Sequence, residues 1–242
     1  MPWDFWIIFL ALAVFLPWRG QRRVKRLLAL PQIGARERFS LYVSTIAFQW
    51  VAVALVCWRA WARGLRGQDL GLVVPDSTAV AIAAVVGTAT FALLQWFNLR
   101  RVAQLPPEAR GFVQSFADRV LPQRAIEFIP FFVLAVTAGV CEEFLFRGFA
   151  MGAMSKAGLA DWEIVLLSSV LFGLGHLYQG RAGVVSTFVL GIIFGITKIA
   201  YDTLAVVVFW HIAVDVVAGV AGYRFLVRPL LPPSEQQIER AR

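Results

Sequence analysis

Charge is what this sequence has least of. Only 16% of its 242 residues are charged, while 59% are hydrophobic, and the mean hydropathy is +0.70. A water-soluble domain carries charge on about a quarter of its residues, so a soluble globular fold is excluded. The sequence also lacks the alternating segments of about ten residues that a membrane β-barrel requires. Cysteine is scarce: Cys57 and Cys141 lie in apolar runs, with no CxxC pair. They make neither a disulfide framework nor a thiolate metal motif, and they read as small buried apolar side chains. There is no basic-aromatic module for nucleic acid, so the net charge of +8 points elsewhere. Histidine occurs only at His176 and His211.

What fills the chain instead is apolar runs. They lie near 4–18, 40–60, 77–97, 128–150, 162–179, 184–200 and 203–223, separated by Arg-rich or Pro/Gly-rich stretches. Runs of this length and composition are membrane-spanning helices. The sequence therefore predicts an all-α polytopic membrane protein, a bundle of about seven to eight transmembrane helices, although no eighth run is visible. One transmembrane domain covers 1–230, and 231–242 reads as a disordered cytoplasmic tail. The first run has Asp4 ahead of it and its basic cluster behind, the reverse of a cleavable signal, and reads as a retained, short span. Residues 107–128 are not a span. Phe112, Phe116 and Val120 recur every four residues among Arg110, Gln114 and Asp118, which suits either an interfacial helix or a loop helix packed on the bundle.

Orientation follows the basic residues of short loops. Arg19, Arg22, Arg23, Lys25, Arg26, Arg36 and Arg38 follow the first run. Arg100, Arg101, Arg110, Arg119 and Arg124 follow the third, and Arg224, Arg228, Arg240 and Arg242 follow the last. With seven spans these fall on one side, which is expected to be cytoplasmic and to hold the C-terminus. Arg59, Arg63 and Arg66 oppose this bias without reversing it.

An ionisable side chain inside a membrane is costly, so each is a functional candidate. The deep ones are Glu142, Glu143, Arg147, His176, His211 and Asp215; Lys198 and Asp202 sit near a span end, where they can snorkel. Glu143 and Arg147 share a helix face at i,i+4 with the acid first, the favourable order for an ion pair. Glu142 is rotated about 100° away and is left for another neighbour. Phe172 and His176 share a face, with Gly173 and Gly175 beside them to admit another helix. His211 and Asp215 share a face, where a carboxylate can orient an imidazole. Glu142, His176 and His211 are expected at similar depth, near the middle third of their spans. Two imidazoles and a carboxylate there make a general-base site, a metal site or both.

Three ordered patterns carry a family resemblance: Glu-Glu-x-x-x-Arg in "EEFLFR", Phe-x-x-x-His in "FGLGH" and His-x-x-x-Asp in "HIAVD". In this order they resemble the signature of the CPBP family, the CAAX-protease and bacteriocin-processing enzymes, also called Abi or Rce1-like intramembrane proteases. The resemblance implies an intramembrane endopeptidase whose catalytic core is about 128–223. It implies that Glu142 and His176 activate water, that Glu143 and Arg147 support them with Phe172, and that His211 and residue 215 stabilise the oxyanion. The family commonly has Asn at this last position, where the chain has Asp215. Ionised Asp cannot donate a hydrogen bond, so Asp215 is either protonated or acts by holding His211. The expected mechanism needs no cofactor; if Zn²⁺ is used, its ligands would be His176, His211 and Glu142. The expected partners are membrane lipids and a protein or peptide substrate, with no nucleic acid, in a bacterial cytoplasmic membrane. The competing classes are a proton-coupled transporter and a non-catalytic immunity or scaffold protein.

Overall fold

Helices account for the secondary structure of residues 1–30 and 32–230, which the computed structural model describes; no strand occurs among them. In chain order they are α1 (Trp3–Ala29), α2 (Ala35–Ala62), α3 (Thr78–Gln104), the short α4 (Gly111–Val120), α5 (Ala125–Lys156), the short α6 (Asp161–Gly175), α7 (Leu177–Tyr201) and α8 (Ala205–Val227). All but α4 and α6 are long and apolar enough to cross a membrane. The outward faces of α2 and α3 are lined with exposed residues such as Val51, Leu55, Val85 and Leu94, as lipid-facing surfaces are. The molecule is thus a polytopic helical membrane bundle. The tail at 231–242 lies outside the described residues.

The seven apolar runs fold as the seven helices other than α4, with two differences. The first run is not short. Its helix continues through the basic cluster to Ala29, because Arg, Lys, Gln and Leu are good helix formers and nothing in that stretch breaks it. Pro17 is accommodated just after wider π-type turns at Ala11–Phe15. The fifth run is shorter than a span: α6 has 15 residues, or roughly 22 Å against a hydrocarbon core of about 30 Å. It ends at Gly175, and the chain turns at once into α7, whose opening turn bends at Gly180, where the φ of +76° suits glycine.

Helix α4 packs on the bundle. Ala117 and Val120 are buried, Gln114 donates to the Leu226 carbonyl at 3.2 Å, and Phe116 stacks on Tyr178 with centroids 6.5 Å apart. The same end of the molecule holds the α1–α2 and α3–α5 connections, tied by a buried pair in which Arg38 meets Glu127 at 2.7 and 2.9 Å. At the opposite end Asp4 is clamped by Arg59 and Arg63, and Leu204 N–H donates to the Gly71 carbonyl at 2.8 Å.

Close helix crossings set the interior. A Cβ on Gly139 of α5 would lie 2.6 Å from Ile212 Cγ1 and 3.1 Å from its backbone nitrogen, so α8 can reach α5 only with glycine there. Gly191 and Gly195 of α7 sit similarly against Ser169 and Val165 of α6. Such small residues let membrane helices approach backbone to backbone. Gly173 does the same against Val184 and Phe188, as its place beside His176 suggests. Gly175 instead faces the Phe146 ring at an ordinary 3.7 Å.

Candidate active site

Helix α5 presents its two glutamates to different neighbours. Glu143 is fully buried, and its Oε1 accepts from Arg147 Nη1 at 3.1 Å and from His211 Nδ1 at 2.7 Å. Arg147, also fully buried, lays its guanidinium over the Phe172 ring at 4.1 Å, with Phe194 at 5.7 Å. These stacked aromatic faces help hold a cation that has few polar partners. Glu142 lies about 100° round the helix. Its Oε1 accepts from Gln49 Nε2 of α2 at 3.0 Å, and its Oε2 stands 3.9 Å from His176 Nε2. That separation is too long for a direct hydrogen bond, and a water beside the pair can reach both atoms.

His176 is not inside a span, as its apolar surroundings suggest, but caps α6 where the helix ends. The run of apolar residues continues past it because α7 begins two positions after Gly175, so no polarity change marks the turn. The cap geometry brings Nδ1 to 2.8 Å from the Phe172 carbonyl. A carbonyl only accepts, so Nδ1 carries a proton, and in the neutral ring Nε2, which faces Glu142, offers a lone pair. Phe172 is the hub of this layer. Its ring meets His176 at 4.6 Å, His211 at 5.9 Å and Phe146 at 5.3 Å.

The partner of His211 differs from the one its own helix suggests. Asp215 shares its face, but Asp215 Oδ2 is 3.8 Å from His211 Nε2, beyond a hydrogen bond. Glu143 holds Nδ1 instead. The reason is the Gly139 crossing, which brings α8 against α5 one turn before Glu143. Spacing along one helix cannot show this. The orienting carboxylate is therefore Glu143, and Asp215 stands at the far side of the ring.

Exposure rises across the site. It is 0% at the side chains of Glu143 and Arg147, 9% at His211, 13% at His176, 23% at Glu142 and 34% at Asp215. From His211 to Asp215, α8 climbs toward the end that carries α4, so the site opens that way. Tyr178 stands at the mouth, its ring 5.8 Å from His176 and 6.3 Å from Phe112. Neither Tyr178 nor Gln49 stands out among ionisable residues. Gln49 is nonetheless a polar side chain in the middle of an apolar run, a signal that a survey including amides finds.

Residues 124–217 match the family model of type II CAAX prenyl endopeptidase Rce1-like proteins. Over this segment the chain is similar to Rce1-like proteins. No curated protein and no solved structure matches the chain. The Rce1-like segment spans α5, α6 and α7 and most of α8, and it contains Glu142, Glu143, Arg147, Phe172, His176, His211 and Asp215. The family is one of peptide hydrolases. Among the described residues no three His, Cys, Asp or Glu side chains gather as a metal would require, the set His176, His211 and Glu142 included.

Proposed function

We propose that the protein is an intramembrane endopeptidase that hydrolyses a peptide bond in a membrane-associated protein or peptide of the CAAX type. The observation that carries this reading is the facing pair of Glu142 Oε2 and His176 Nε2, 3.9 Å apart, with Nδ1 of His176 committed to the Phe172 carbonyl. A water bridging them from the side donates to the lone pair of the neutral Nε2 and to the carboxylate. Glu142 takes a proton as the water oxygen attacks the peptide carbonyl, then returns it to the leaving amine. The developing oxyanion falls to His211. With Nδ1–H given to Glu143, Nε2 donates only if the ring is an imidazolium, whose charge Glu143 and Asp215 on either side offset. Asp215, 3.8 Å from Nε2, then acts as a counter-charge.

The substrate enters from the α4 end, toward which exposure rises. That end gathers Arg19, Arg22, Arg23, Lys25 and Arg26 of α1 with the loops around α4, and it faces the cytoplasm by the basic-residue rule. The surrounding membrane is a bacterial-type cytoplasmic membrane.

The test is cleavage by purified protein in detergent of two peptides ending in a CAAX sequence, one farnesylated and one not. Wild type cleaves at least one, and Glu142→Gln and His176→Ala lose on the order of 10²–10⁴-fold in rate. Cleavage by Glu142→Gln at the wild-type rate overturns the reading. Intact peptide with every variant, together with proton flux in liposomes that depends on Glu142, favours a transporter.

A further inference from the structure

We infer that Gln49, on α2 and outside the Rce1-like segment, is a positioning residue that aims the Glu142 carboxylate; this role rests on the endopeptidase reading. Gln49 Nε2 donates to Glu142 Oε1 at 3.0 Å. With that oxygen tethered, the one left facing His176 is Oε2. A carboxylate on a free χ3 would sweep both oxygens past the imidazole, whereas a tethered one holds a single oxygen at the water site. Reaction rates are sensitive to misplacement of this kind.

The amide is an odd choice for packing alone. Its own carbonyl Oε1 is buried without a hydrogen-bond partner. A buried polar group left unsatisfied destabilises a fold, so stability does not explain a glutamine at this place. The helix that carries it is firmly set. Helices α2 and α5 run parallel in close contact, through Arg38 with Glu127, then Tyr42 against Phe131 at 5.8 Å, then Gln49 with Glu142. The Tyr42 hydroxyl also donates to the Val120 carbonyl at 2.6 Å. The first half of the chain thus contributes to the site as well as to the membrane anchor.

The experiment uses the full chain in detergent with Gln49→Met, which keeps length and volume, and Gln49→Glu, which can donate only when protonated. Infrared spectroscopy of carboxylate bands needs no substrate. The band lost in Glu142→Gln identifies Glu142, and in Gln49→Met that band shifts. With the farnesylated CAAX peptide, Gln49→Met loses about 10- to 100-fold in kcat with KM within about threefold. Gln49→Glu recovers toward wild type as pH falls, and Gln49→Met does not. An unshifted Glu142 band, or wild-type kcat in Gln49→Met while Glu142→Gln is inactive, overturns the role of Gln49. Wild-type cleavage by Glu142→Gln sinks the endopeptidase reading itself, and this inference with it.

Discussion

Glu142 and Glu143 are neighbours in sequence with almost nothing else in common. Glu143 is sealed in the bundle between a guanidinium and an imidazole that both donate to one of its oxygens. Glu142 is partly open, tethered by an amide and facing His176 Nε2 at 3.9 Å, a pair that a water beside it can bridge. The helix makes the division. A rotation of about 100° between adjacent residues sends one carboxylate into the α5–α8 contact and the other into the space between α2 and the α6–α7 turn. A buried ion pair is weak evidence for stability but costly to break, so the inner layer can fix geometry while the outer layer changes protonation. The catalytic reading depends on keeping these roles apart.

The sharpest way to break the comparison is to strand the inner charge. Arg147→Ala leaves Glu143 buried against His211 alone and should cost about 3–5 kcal/mol in a reversible unfolding titration. Stability equal to wild type would show that the pair is not what holds this layer. Replacing both partners sharpens the point. Glu143→Leu/Arg147→Met should recover much of the stability but not the activity, because His211 has then lost the acceptor at its Nδ1.

A smaller effect is expected at the crossing that brings His211 to Glu143. Gly139→Ala places a methyl about where Ile212 Cγ1 and the Ile212 backbone already stand. Overpacking of this kind costs roughly 1–3 kcal/mol. It should push α8 from α5, with cleavage falling by more than the loss of folded protein explains. Activity that tracks folded protein alone would mean that the Glu143–His211 contact tolerates the shift.

The smallest effect belongs to Asp215. Glu143 already orients His211, and Asp215 is 3.8 Å away and a third exposed. Asp215→Asn should therefore change kcat by no more than about tenfold, or 1.4 kcal/mol, and leave unfolding unchanged. A loss as large as that of Glu142→Gln would make Asp215, and not Glu143, the group that commands His211.

The sequence showed what depends on composition and on spacing within one helix. The apolar runs are the membrane helices, and the Glu143–Arg147 pair is visible from i,i+4 spacing. Contacts between helices were not legible. The tether of His211 to Glu143 needs the Gly139 crossing. The placement of His176 needs a helix end that no change in polarity announces, because the chain turns inside an apolar run. Gln49 carries no ionisable group to mark it, although an amide in a bilayer span also needs a reason. The length of α1 escaped for the opposite cause: its last turns are too basic to read as a span, yet they remain good helix.

The most direct test of the division between the two glutamates is to measure Glu142→Gln and Glu143→Gln side by side, recording peptide cleavage and unfolding free energy on the same preparations. The account predicts a crossed pattern. Glu142→Gln loses on the order of 10²–10⁴-fold in rate and keeps wild-type stability, whereas Glu143→Gln loses stability as Arg147 becomes an unbalanced buried charge. Equal losses of both quantities in both variants, or wild-type cleavage by Glu142→Gln, would contradict it.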